Sequence, residues 1–229
     1  MRLINAENGR VLSLFSQDDI QPQMGYHLPD IVEGIVARYL FASFPEDKRL
    51  SGDSQEGPLR FKTGRFVHSN TPIYIHLMDV YRDGVVVEAT STDYAEIVAD
   101  DLLSWAEEQF GFRFSEASMR RVYTSSVVVE FDLDVNYSLA AFEQVSAAYT
   151  AAMRRFRAID ETVNVTKIQL GVDPTRLTSR QLGADFIIER RVNCPHDSNR
   201  FFCDAPLPTL DHVELLKTFE ALLKTGRGS

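Results

Sequence analysis

Glu130, Asp132 and Asp134 stand at alternate positions of one apolar run. An extended backbone turns all three carboxylates to the same side. Three carboxylates in a row suit a hard divalent cation, magnesium or manganese, and such an ion could activate water against a phosphodiester. Asp134, at the end of the run, is the best placed of the three. The same alternation belongs to any antiparallel strand with one face in water.

Cys194, His196, Cys203 and His212 form a second group, spaced C-x-H-x₆-C-x₈-H. Thiolates and imidazoles are good zinc ligands, although this spacing is not that of the common paired-knuckle sites. A Cys194–Cys203 disulfide would also be reachable across a hairpin, and a reducing compartment disfavours it. His76, with His68 on a neighbouring strand, is a candidate base. Its apolar neighbours Ile75, Leu77 and Met78 make a half-buried, hydrogen-bonded histidine the simpler reading. The basic residues Arg60, Lys62, Arg65, Arg120, Arg121, Arg154, Arg155, Arg157, Arg190 and Arg191 would hold phosphate or an acidic protein face if several converged. Arg190 and Arg191, adjacent on a strand, must point to opposite faces. Arg154, Arg155 and Arg157 sit together near a helix end, where they complement the dipole, and are the candidate interaction set.

The common nucleotide-binding, hydrolase and zinc-protease signatures are missing: no Gly-rich phosphate loop, GxGxxG, HExxH, GxSxG or paired CxxC occurs. An enzyme would have to assemble its site from scattered positions.

The elements that must position these residues centre on Pro72–Gly111, which reads as strand, turn, strand, helix. Ile73–Tyr81 is a long apolar, β-branched and aromatic run, and Arg82-Asp83-Gly84 supplies a hairpin turn. Val85–Thr90 returns. Asp93, with Glu96 three residues later, then fits a capped helix that runs to Gly111.

Upstream, Asn8-Gly9 predicts a hairpin between residues 2–5 and 10–16. A helix starts near Pro29, with Ile31, Ile35 and Tyr39 in one row and Val32, Val36 and Leu40 in the next. Gly34 within it allows close packing. Residues 45–58 read as a mobile loop, and Leu59–Val67 as a strand broken by Gly64. Downstream, Val127–Val135 alternates as a strand. Ser138 caps a helix with Leu139, Phe142, Val145, Tyr149, Met153 and Phe156 on its apolar side. Val165–Val172 follows as a strand, then Ala184–Val192 paired with Arg200–Cys203. The last helix, Thr209–Thr225, turns Leu210, Val213, Leu216, Phe219, Leu222 and Leu223 inward. Trp105, Phe131, Leu133, Phe142 and Phe219 are expected to be buried.

These elements predict an α+β fold: a mixed, largely antiparallel sheet with amphipathic helices packed on it, built from two ββα units. The strand-helix-strand stretches from Val85 to Val172 would add parallel pairs. The division expected is one domain over 1–229, with an N-terminal subdomain over 1–57 as the alternative.

The 229 residues hold 24 Lys and Arg against 33 Asp and Glu, a formal net charge of −9. That balance disfavours a generic nucleic-acid binder. No run approaches the roughly 20 apolar residues of a membrane span, and residues 1–9 do not resemble a secretory signal. Two cysteines make no disulfide framework. The expectation is a soluble, acidic, cytoplasmic protein without membrane contact and with no cofactor, zinc or magnesium being the alternatives. Its expected role is non-enzymatic: protein binding or assembly, with a protein partner or as an oligomer of itself. The alternatives are a metal-dependent hydrolase acting on nucleic acid or a nucleotide through Glu130, Asp132 and Asp134, and a small-ligand sensor with its pocket between sheet and helices.

Overall fold

A computed structural model describes residues 1–15, 27–45, 57–114, 119–135, 140–157, 163–173, 175 and 185–225. The predicted loop over 45–58 and the cap at Ser138 lie, wholly or for the most part, outside these residues. The described elements are β1 (Arg2–Leu14), α1 (Leu28–Tyr39), β2 (Leu59–His68), β3 (Thr71–Val80), β4 (Gly84–Ala89) and α2 (Thr92–Phe110). There follow β5 (Arg120–Glu130), α3 (Ala140–Arg157), β6 (Lys167–Leu170), β7 (Phe186–Arg190), β8 (Arg200–Ala205) and α4 (Thr209–Thr225).

The fold is α+β: the eight strands form an open antiparallel sheet in the order β2-β3-β4-β1-β5-β8-β7-β6. β1 lies between β4 and β5 in that order, so the connection through α2 joins strands that are not neighbours, and the parallel pairs expected there do not form. Along the chain, strand, helix, three-strand meander and helix occur twice. The repeat is therefore longer than the ββα unit expected.

Two compact units divide the chain: Glu7–Ser125 with Leu207–Thr209, and Met1–Ala6 with Ser126–Pro206 and Leu210–Ser229. In the first, alternate residues of the strands, among them Val11, Phe61, Ile73, Ile75, Val85 and Val87, build one core. Val32 and Ile35 of α1 and Val98, Ala99 and Leu102 of α2 close over it. α2 starts from an N-cap two residues earlier than predicted. Ser91, in extended backbone, accepts from the Tyr94 amide at 3.3 Å, and Asp93 falls inside the first turn. Gly111 ends the helix in the left-handed region at φ 68°.

The Asn8-Gly9 hairpin does not form. β1 runs straight through the pair, and Gly9 lies opposite Ala89 of β4. A Cβ on Gly9 would collide with the backbone of Ser91 and Thr92. The glycine serves close approach, and no turn is made.

In the second unit Val127, Val129, Phe131, Leu133, Ile188, Phe201, Cys203 and Leu216 form the core. Phe131 sits edge-on to Phe201 at 5.3 Å and tilted against Phe219 at 5.7 Å. β5 ends at Glu130, short of the predicted Val135, yet the burial alternation continues: Phe131, Leu133 and Val135 are inside, Asp132 and Asp134 outside. Two helix faces differ from expectation. Leu210 and Leu222 of α4 are exposed, with Leu216 the fully buried member of that row. Phe142, Val145, Tyr149 and Phe156 of the expected apolar side of α3 are also exposed, Phe142 at 54%, while Met153 is half-buried.

Candidate functional site

The carboxylate row is committed to cations of the chain itself. Glu130 accepts from Arg2 Nη2 at 3.0 and 3.1 Å and from Arg200 Nε at 3.1 Å. Those arginines, Arg200 foremost, hold its carboxyl below the usual range. Asp132 accepts from the Met1 α-amine at 2.5 Å, which lowers its pKa in the same way. Glu220 of α4, unforeseen in the sequence, takes the same amine at 2.7 Å, the Asp132 amide at 2.7 Å and Lys224 Nζ at 3.1 Å. Burial pushes Glu220 up, and these hydrogen bonds outweigh it, leaving its pKa below the ordinary value. Asp134 is exposed and acts through space on Arg190. What this arrangement does chemically is tie the start of β1 to the end of β5 and to α4.

Among the described residues Cys194, Cys203 and His212 are not brought together as a ligand group. Cys203 is buried and Cys194 half-buried, and both are free thiols. Burial pushes the Cys203 thiol up. The His212 ring is fully buried, edge-on to Phe186 at 5.9 Å. The His196 side chain lies outside the described residues. Among the described residues no group of three or more His, Cys, Asp or Glu is placed to hold a metal ion.

His76 is exposed rather than half-buried, and His68 is exposed as well. They are on paired strands without facing each other: His68 lies opposite Thr71, and His76 falls at an irregularity between Ile75 and Leu77.

The arginines disperse into local pairs. Arg60 grips Asp79, its cross-strand partner, with Nε at 2.8 Å and Nη2 at 2.7 Å. Asp79 is 2% exposed, an acid the sequence pattern does not flag. Arg121 bridges Glu96 and Asp100, and the Tyr123 hydroxyl donates to Glu96 at 2.8 Å. Arg190 lies 4.9 Å over Phe201. Lys62, Arg65 and Arg120 are exposed on their strands, and Arg191 is half-buried.

Two features remain that carry exposed apolar chemistry. The first is α3. Phe142, Val145, Tyr149 and Phe156 are 54, 64, 54 and 74% exposed, although their spacing puts them on one side of the helix. Arg154 and Arg155 are exposed beside that stripe, and the Arg155 guanidinium lies 4.5 Å over the Phe156 ring. Thr150 is buried, and its hydroxyl accepts from the Val163 amide at 3.0 Å.

The second is a cavity of about 670 Å³ in the Glu7–Ser125 unit. Phe15, Trp105, Phe112 and Phe114 line it, with Leu28, Ile31 and Leu102 behind them. Phe15 and Phe114 are 5.1 Å apart by centroid, and Phe112 and Phe114 are 6.1 Å apart. Trp105 reaches this wall because position 34 of α1 is glycine; a Cβ there would come within 2.6 Å of the indole. Among the described residues Arg82 and Asp83, both exposed, are the charged residues of the lining. Sequence reasoning placed Gly34 for close packing and offered a pocket between sheet and helices as an alternative, but did not find these lining residues, because the walls come from five separate segments. Among the described residues no helix is long and apolar enough to cross a membrane. No model of a known protein family matches this chain, and no curated protein matches it either.

Proposed function

We propose that this chain is a non-enzymatic interaction protein that associates through α3, with a second copy of itself as the occupant. The exposed stripe Phe142, Val145, Tyr149 and Phe156 carries the reading. A contiguous apolar helix face in water is uncommon on a monomer and marks an association surface. The spacing of these residues, three then four, with Ala152 completing the series, is that of a two-helix seam. Arg154 and Arg155, in the last turn of α3, are exposed. An antiparallel pair of α3 helices keeps the arginine ends of the two copies apart, whereas a parallel pair would stack them on each other.

A helix of 18 residues spans only about 27 Å. A single seam of that length lies at the small end of specific interfaces, so the expected dimer is weak and concentration-dependent. The hydrolase alternative has less support, since Glu130 and Asp132 are already paired with Arg2, Arg200 and the Met1 amine.

Sedimentation of the full chain over a concentration series tests the proposal. The expected result is a monomer–dimer equilibrium that is lost in the double variant F142D/Y149D, with the circular dichroism unchanged. A wild-type chain that stays monomeric up to its solubility limit overturns the self-association.

A further inference from the structure

We propose that the cavity lined by Phe15, Trp105, Phe112 and Phe114 is a binding site for a small aromatic molecule of zero net charge. The inference is independent of α3. The volume, about 670 Å³, falls within the range of small-ligand sites, about 300–1,000 Å³. The wall is ring-rich. Phe112, Phe114 and Phe15 follow one another at centroid separations of 6.1 and 5.1 Å, and the angle between the last two is 53°. Rings tilted in this way present both faces and edges, the geometry in which a further aromatic ring stacks favourably.

The charge of the ligand follows from the lining. Among the described residues Arg82 and Asp83 are its charged members, adjacent in sequence and opposite in sign. An anion would gain from Arg82 and lose to Asp83, and a cation the reverse. A ligand with no net charge meets neither penalty, and the chain's own balance of −9 adds a further bias against anions.

Trp105 is the single tryptophan of the chain and forms part of the wall, so occupancy has a built-in reporter. The neutral fluorophore N-phenyl-1-naphthylamine is titrated into the full chain, following energy transfer from Trp105. The expected result is one saturable site with loss of Trp105 emission. Affinity should fall about five- to ten-fold in F112A/F114A, whose substitutions lie outside the helices and strands. The anionic relative 8-anilino-1-naphthalenesulfonate should bind more weakly than the neutral probe to the wild type and close that gap in D83N, which leaves Arg82 unopposed.

Non-saturating fluorescence, or transfer that persists unchanged in F112A/F114A with the fold retained, overturns the site. Binding that survives F112A/F114A and disappears in F142D/Y149D overturns it as well, by assigning the probe to α3. Equal ratios of the two probes in wild type and D83N overturn the charge assignment.

Discussion

Thr92 and Thr209, the first residues of α2 and α4, cap each other. The Thr92 amide donates to Thr209 Oγ1 at 3.0 Å, the Thr209 amide donates to Thr92 Oγ1 at 2.7 Å, and the two hydroxyls bond at 3.0 Å. Both side chains are buried, and both residues open the helix that follows a three-strand meander. First-turn amides have no partner within their own helix, so a buried start needs one from elsewhere. Thr92→Val should therefore cost about 1–2 kcal/mol, and Thr209→Val a similar amount. The hydroxyl–hydroxyl bond is lost in either single variant. The double variant should therefore cost less than the sum, by about 1 kcal/mol. Urea midpoints of the four proteins check this, and strict additivity would mean that the hydroxyl pair contributes nothing.

Gly9→Ala should be more damaging than either threonine change. Overpacking costs about 1–3 kcal/mol where side chains can give way. Here the obstacle is the backbone of Ser91 and Thr92, the entrance to α2, which cannot move without moving the helix. The expected outcome is a loss above that range, seen as a chain that fails to unfold cooperatively in urea. Asn8→Ala, by contrast, should leave the strand register unchanged, because no turn depends on the Asn-Gly pair.

Gly9 also shows where local reading of this sequence stops. Asn8-Gly9 is a turn signal only when nothing else needs the missing side chain, and Ser91, more than 80 positions away in sequence, needs it. The elements themselves were legible where apolar runs meet turn and cap residues: β3, β4, the α2 helix with its Gly111 stop, and the pairing of β7 with β8 follow from such local signals. Arg60–Asp79 was not legible, because a charged pair at cross-strand positions shows only once the β2–β3 register is known. α3 was legible as a helix and misread as core, since periodicity reports which residues share a face and not whether anything covers it. The cavity is the extreme case, assembled from residues 15, 28–35, 57–59, 80–85 and 102–114 with no common motif.

The pH response of the Met1–Asp132–Glu220 cluster has a definite sign. Glu220 has a folded pKa below its ordinary 4.5, so its stabilisation is present in full above 4.5 and is lost as pH falls through the folded value. Glu130 and Asp132 shift in the same direction and act over the same acid range. The Met1 amine moves the other way. Burial alone would lower it, and the hydrogen bonds to Asp132 and Glu220 raise it above 8.0. Its stabilisation is present in full below that value and fades as pH rises through the folded pKa. The melting temperature should therefore hold between about pH 5 and 8 and decline on both sides. Glu220→Gln should lower the plateau and flatten both slopes; a variant with unchanged slopes would mean the cluster does not govern them.

Phe131 and Phe142 separate core from surface within one unit. Phe131 is 3% exposed and packs edge-on to Phe201 and tilted against Phe219, so Phe131→Ala should cost about 3–5 kcal/mol by removing a buried ring. Phe142 is 54% exposed, and in a dilute, monomeric sample Phe142→Ser should change stability by no more than about 0.5 kcal/mol. The same substitution should act at high concentration, where the wild type gains stability from association and the variant does not. Urea unfolding at two protein concentrations distinguishes the cases. A large, concentration-independent loss in Phe142→Ser would place that ring in the core and remove the association face. A loss that grows with concentration ties the ring to the seam between copies.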